Sequence, residues 1–214
     1  PTMAQQTLVS FSFLTLTSLS NAVAAVAGGT AIGIGSKVNS FAILPGIAMS
    51  SSIASMSGQN IGAGDYNRAK KTLKIGIGIT LVISLTVFTL MQVFPNVIVN
   101  AFIGTTGGYD TSQMQNIIDT ATMYIRLLAF DSLIASIGFC FMGLINGSGR
   151  TVITMITSFL SAIAVRVPLA YILALGFDLG MFGIGLATAI SPIVTVAVGF
   201  IYYKSGKKKK KSII

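Results

Sequence analysis

The sequence predicts an all-α membrane protein, a bundle of six transmembrane helices. Three observations carry that expectation. The 214-residue chain is 53% hydrophobic and only 9% charged, against roughly 25% charged residues in an ordinary soluble domain. Six windows of mainly apolar residues each reach the roughly 20 residues that a helix needs to cross a bilayer. The basic residues gather at alternate connections between those windows, the pattern that a chain weaving through a membrane shows.

The windows fall at about 6–26, 36–60, 74–94, 118–145, 151–174 and 180–203. Residues 1–203 therefore read as one membrane lobe, and 204–214 as a basic tail. The first window is the most polar, with Gln6, Asn21 and many Ser and Thr. A helix facing lipid should avoid such residues, so this one is expected inside the bundle. The second holds Pro45-Gly46, which removes a backbone donor and favours a bend. It goes on through Ser50, Ser51, Ser52, Ser55, Ser57 and Gly58, a face small enough for close helix contact. It then meets the stretch Gly58 to Lys71, where three glycines permit a sharp reversal and basic residues follow at once. The fourth and fifth windows form a hairpin that turns through Asn146-Gly147-Ser148-Gly149-Arg150, and Pro168 interrupts the fifth.

The charges orient the bundle. Arg68, Lys70, Lys71 and Lys74 follow the second window, Arg150 the fourth, and Lys204 with Lys207 to Lys211 the sixth. The connections at about 95–117 and 175–180 carry Asp110 and Asp178 and no basic residue. The positive-inside rule puts both ends of the chain in the cytoplasm, which agrees with an even number of spans. Net charge is +9, but the positive residues sit at helix ends and in the tail, so a nucleic-acid partner is not indicated. The run Lys207 to Lys211 is an inside-anchoring signal and a candidate surface for anionic lipid. The single Cys140 lies in an apolar run and reads as a small core residue. The chain opens at Pro1, almost at the first span, and reads as a piece of something longer.

Three charges fall well within the windows: Arg126, Asp131 and Arg166. Intramembrane charges are rare and by default mark function. In an antiparallel hairpin, residues at equal depth have position numbers with a constant sum. Asp131 and Arg166 are centred between Ser148 and Gly149, the middle of the turn, and lie about 22 Å from it at 1.5 Å per residue. The geometry predicts that they approach within salt-bridge reach. Such a pair either locks two helices in register or releases Arg166 when Asp131 takes up a proton or a sodium ion.

Enzymatic readings fail on residue type and placement. Gly62-Ala63-Gly64-Asp65 and Tyr109-Asp110 match the strings of intramembrane aspartyl proteases, but a hydrocarbon layer of about 30 Å would separate the two carboxylates. Gly143 to Thr151 lacks the ending and the preceding strand of a phosphate loop. Without His there is no Ser-His or Cys-His nucleophile and no histidine metal site. The metal question is otherwise open.

Several ordered motifs resemble one family, the multidrug and toxic-compound extrusion (MATE) transporters. Pro45 through Lys71 includes Gly58-Gln59-Asn60 and Gly62-Ala63-Gly64, similar to that family's GQN-GAG turn. Leu144 to Arg150 resembles its turn after the fourth helix of the second half. Arg166-Val167-Pro168-Leu169-Ala170 resembles its R-x-P-L-A element, and Tyr202-Tyr203 its closing tyrosines. The resemblance implies twelve helices in two six-helix lobes, of which this chain is the C-terminal one. It also implies export of amphiphilic, often cationic compounds in exchange for H+ or Na+, with no other cofactor, through a cavity shared with the missing N-terminal lobe. A bacterial-type inner (plasma) membrane is the implied setting. In the sodium-coupled branch the first helix of this lobe carries a Glu just after its proline. Here Pro1 is followed by Gln5 and Gln6, which do not ionise. Asp131 lies in the helix of that branch's second carboxylate, about one turn deeper when counted from Gly147. Asp131, Arg166, Arg126, Gln5 and Gln6 are thus the candidate coupling-ion or substrate residues. The alternatives are a flippase for lipid-linked saccharides of the same superfamily and a truncated, non-transporting membrane fragment.

Overall fold

The computed structural model describes residues 2–103 and 111–205, with side chains from Gln5 onward except that of Gln6. Asp110, Gly107, Tyr109 and the lysines of the run 207–211 lie outside the described residues. Among those described, every regular element is a helix.

Helix α1 (Thr2–Ala42) consists of two limbs. Ala24 and Ala25 leave helical geometry, with φ/ψ of −130°/17° and 47°/−134°. A Cβ added to Gly28 would run into the carbonyl oxygen of Ser20, eight residues earlier. A straight helix would separate those residues by about 12 Å, so the chain doubles back and the limbs are separate crossings. The second limb passes Ile43 into α2 (Leu44–Gly62), with Pro45 in the first turn, where a missing N–H is tolerated. Then come α3 (Tyr66–Val93), the short α4 (Pro95–Ile103) and the long α5 (Thr111–Gly147). The next crossing runs through α6 (Thr151–Phe159), a π-helical stretch Leu160–Arg166, α7 (Val167–Tyr171) and a second π-helical stretch Ile172–Gly176. The last is α8 (Gly180–Ile190) followed by α9 (Pro192–Ser205). Among the described residues, five stretches are long and apolar enough to span a membrane. The first of them, Thr7–Gly62, contains the reversal, so these residues make six crossings.

Helix α5 is the axis of the bundle. Of its most apolar stretch 61% is buried, against 22% for α3. Tyr124, Ile125, Leu128 and Ala129 have no exposed surface, and α1, α2, α3, α8 and α9 all pack on it. The closest approach is to α2. A Cβ on Gly143 would stand 2.5 Å from the Ser50 carbonyl oxygen, and one on Gly147 would run into that of Ala54. The contact runs through Ser50, Ala54 and Gly58, so the small face foreseen along α2 is used only in part: Ser51, Ser52 and Ser55 are exposed.

The first limb of α1 corrects an expectation. It does not sit inside the bundle. Leu16, Leu19, Ser12 and Ser20 are buried on one side, while Phe11 and Leu14 are 60% and 69% exposed on the other. The physical reason is that three of its hydroxyls are satisfied within the helix, while the buried Ser12 Oγ makes no hydrogen bond in the structure. Thr15, Thr17 and Ser20 donate to the carbonyls of Phe11, Phe13 and Thr17 at 2.8–3.0 Å. A hydroxyl bonded back to its own turn no longer demands a neighbour.

Both basic turns are held by local hydrogen bonds, though only the first has a side-chain helix cap. Gly64 takes φ +78°, and Asp65 Oδ1 accepts from the Arg68 amide at 2.9 Å as the N-cap of α3. In the turn before α6, Gly149 takes φ +77°. Thr154 Oγ1 donates to Asn146 Oδ1 at 2.8 Å. Ser148 Oγ and Tyr202 Oη share a hydrogen bond of 2.7 Å, with the Arg150 guanidinium 5.7 Å from the Tyr202 ring centre. The last helix is thereby tied to the hairpin at the face where the basic residues lie.

Candidate functional site

Asp131 on α5 and Arg166 at the end of the first π-helical stretch meet in the bundle interior. Arg166 Nη2 donates to Asp131 Oδ1 at 3.2 Å. Both are buried, at 2% and 7% exposure, which makes this a desolvated ion pair. The hairpin register predicted this depth, and the fold supplies the facing sides.

A third helix joins them through a backbone defect. Pro192 has no N–H for the carbonyl of Thr188 four residues earlier. The Ser191 hydroxyl donates there instead, at 3.0 Å. The same oxygen accepts from Arg166 Nε at 2.9 Å, and the Ser191 carbonyl accepts from Ser161 Oγ at 2.7 Å. Pro168 produces a matching defect in the neighbouring crossing. It withholds a donor from the Ala164 carbonyl, and the hydrogen-bond ladder over Leu160–Arg166 widens to the π pattern. Arg166 thus lies where two interrupted helices adjoin. The first limb of α1 closes the site, with the Phe13 ring centre 5.2 Å from the guanidinium carbon.

Around the carboxylate stand further polar groups. The Asn39 side chain lies against Asp131, and Tyr124 is two turns away on the same face of α5. Asn39 Oδ1 is buried and makes no hydrogen bond in the structure, and the buried Tyr124 hydroxyl lies against Thr188. A buried oxygen without a donor is costly. Neutralising Asp131, by a proton or a cation, would leave Arg166 with Ser191 and Phe13 and weaken the tie between α5 and the π-helical segment.

The other candidates lie elsewhere. Arg126 was expected well within a span. It is exposed, and it stands about 30 Å along α5 from Asn146, the full thickness of a hydrocarbon core. Its backbone carbonyl accepts from Gln92 Nε2 at 3.0 Å. The reason for the difference is that α5 has 37 residues, longer than a minimal span, so mid-sequence is not mid-membrane. Gln5 lies about 12 Å down α1 from Phe13, with Nε2 buried and without a hydrogen-bond partner in the structure. The side chain of Gln6 is outside the described residues. Sequence reasoning missed Phe13, Asn39, Tyr124, Ser161 and Ser191. Of these, Ser191 carried a signal: a serine directly before an in-span proline.

The MatE family model matches residues 1–172. The chain is 24% identical over 181 residues to a probable multidrug resistance protein NorM of Thermotoga maritima, covering 85% of this chain and 37% of the relative. Two solved structures of a multidrug resistance MATE family transporter of the MOP superfamily share the fold. The outward-facing one has a TM-score of 0.86 at 19% identity, covering 97% of this chain and 45% of that one. The inward-facing one has a TM-score of 0.85 at 18% identity, covering 98% and 46%. The chain therefore spans less than half the length of the relatives it matches, as one lobe of a two-lobe transporter fold. A bundle of six crossings, the GQN-GAG turn and a family match over most of its length place the chain in the MatE family of multidrug transporters.

Proposed function

We propose that the chain acts as the C-terminal lobe of a multidrug exporter that exchanges amphiphilic, often cationic substrates for H+ or Na+. The observation that carries this reading is the buried Asp131–Arg166 pair, set between two helices whose ladders are interrupted beside it. A charge pair at such a place couples a binding event to helix contacts. Taking up a proton or a sodium ion at Asp131 frees Arg166, and the contacts among α5, the π-helical segment and Ser191 redistribute. Asn39 and Tyr124 would complete the surroundings of the ion. The near-equal likeness to an outward-facing and an inward-facing transporter supports a lobe that moves largely as a unit against an N-terminal partner lobe. In this reading the protein crosses the plasma membrane with both ends of the chain cytoplasmic, and the tail lysines face anionic lipid.

The saccharide-flippase reading calls for a strongly cationic cavity. Arg166 is neutralised by Asp131, and Arg126 lies toward the outer edge of the bilayer, so the chain offers little free positive charge at mid-depth. Drug export therefore stands ahead.

The test is Asp131→Asn in the full-length transporter, with export measured in cells and normalised to folded protein in the membrane. Coupling predicts export reduced well beyond any loss of protein. Normal export would remove Asp131 from the mechanism. Export reduced only in proportion to protein level would make Asp131 a structural residue.

A further inference from the structure

The first turns of α3 carry a pattern the transport reading leaves unused. Asn67, Lys70, Lys71 and Lys74 stand at i, i+3, i+4 and i+7, a single stripe of the helix. With Tyr203 of α9 they line an open cavity of about 340 Å³. Lys70 is half-buried, its Nζ 5.7 Å from the centre of the Tyr203 ring, while Lys71 and Lys74 are exposed.

This arrangement is unfavourable by itself. Lysines at i and i+4 repel each other. The nearby carboxylate of Asp65 already caps the helix through the Arg68 amide. No salt bridge to these lysines occurs among the described residues. A bound anion would relieve both problems together.

The surface below the lysines indicates what kind of anion. The same stripe continues toward mid-membrane through Gly78, Val82 and Leu85. Val82 and Leu85 are 67% and 49% exposed, and a Cβ placed on Gly78 meets nothing within 4 Å. A polar, basic cavity at the end of α3 is thus continued by an exposed apolar strip of the same helix. We infer that Asn67, Lys70, Lys71, Lys74 and Tyr203 form a binding site for an acidic phospholipid. Its phosphate sits among the three lysines, and an acyl chain runs down past Gly78 and Val82. The site is separate from the Asp131–Arg166 cluster, and it does not depend on the coupling mechanism.

Native mass spectrometry of the protein released from nanodiscs of phosphatidylcholine with a minor share of phosphatidylglycerol tests this. One phosphatidylglycerol should stay bound per chain. Each of Lys70→Gln, Lys71→Gln and Lys74→Gln should reduce its retention about fivefold, the effect of one lysine near an anionic surface. Lys204→Gln removes a charge from the same membrane face outside the cavity and should have little effect. Gly78→Leu puts a bulky side chain on the apolar strip and should lower retention without touching a charge. Unchanged retention in the lysine variants, or an equal loss in Lys204→Gln, overturns the site in favour of diffuse surface charge. Displacement of the lipid by inorganic phosphate, together with no effect of Gly78→Leu, overturns the lipid assignment in favour of a soluble anion. Lys74 and Gly78 are exposed, so their variants keep the test decisive should the Lys70 variant misfold.

Discussion

Arg166 Nε donates to the Ser191 hydroxyl at 2.9 Å, and that hydroxyl donates in turn to the carbonyl which Pro192 leaves without its helical partner. A single oxygen thus repairs a helix break and holds a buried cation. Ser191→Ala removes both functions at once. It should lower stability by about 1–3 kcal/mol, the cost of stranding a buried polar group. Ser191→Thr keeps the hydroxyl and should recover most of the loss. Thermal unfolding of the purified protein in detergent measures both, and equal midpoints for wild type and Ser191→Ala would show that the Arg166 contact carries no weight.

A second prediction concerns the contact between α2 and α5. Gly143 and Gly147 face the backbone carbonyls of Ser50 and Ala54 too closely for a methyl group. Carbonyls within a helix cannot turn aside, so Gly143→Ala and Gly147→Ala must push the helices apart, at about 1–3 kcal/mol each. Gly33→Ala is the control, since a Cβ there meets nothing within 4 Å. The yield of folded protein after extraction should fall for the first two and hold for the third.

How much of this was legible in the sequence differs from residue to residue. Asp131 and Arg166 were readable as a pair because a helical hairpin fixes depth by simple counting from its turn. Phe13 and Asn39 were not, because they reach the site from crossings that are distant in sequence, and no local count relates their depth or facing side to Asp131. The polar first limb misled for a related reason. A Thr or Ser in a helix has its own carbonyl as partner, so polarity there does not specify a buried face. Arg126 misled because its side of the long α5 is exposed, which a count along the chain does not show. The helix α4 was hidden in a connection, although Pro95, Val99 and Ile103 bury one face at four-residue spacing.

Orientation gives a third prediction. The basic turns before α3 and α6 and the end of α9 should face the cytoplasm, and the start of α5 the outside. In a Cys140→Ala background, an impermeant maleimide added to intact cells should label a cysteine at Ser112 and miss one at Asn67. The native Cys140 is buried and donates weakly to Thr80 Oγ1 at 3.4 Å, so its replacement by a residue of similar size should be mild. The reverse labelling pattern would invert the topology.

The fourth prediction separates a lock from a switch at Asp131 and Arg166. Removing one member of a buried ion pair leaves the other charge unpaired in a low-dielectric interior, at about 3–5 kcal/mol. Asp131→Asn and Arg166→Gln should therefore each destabilise the protein in the membrane. The double variant carries no charge, and Asn and Gln can still hydrogen-bond across the gap. Its stability should return to near the wild-type value, since a neutral replacement of a buried pair is often tolerated. Transport should part company with stability at this point. If the pair only fixes helix register, the double variant should export drugs as well as it folds. If Asp131 carries the coupling ion, the double variant should be folded and abundant yet fail to drive export by an ion gradient, because an amide cannot take up a proton or offer a full charge to sodium. Unfolding midpoints for the four proteins give the cycle, and gradient-driven export from vesicles loaded with equal amounts of each gives the function. Restored export in the double variant would remove the coupling role. Restored folding without restored export would assign it to Asp131 and leave Arg166 as the group whose release transmits it.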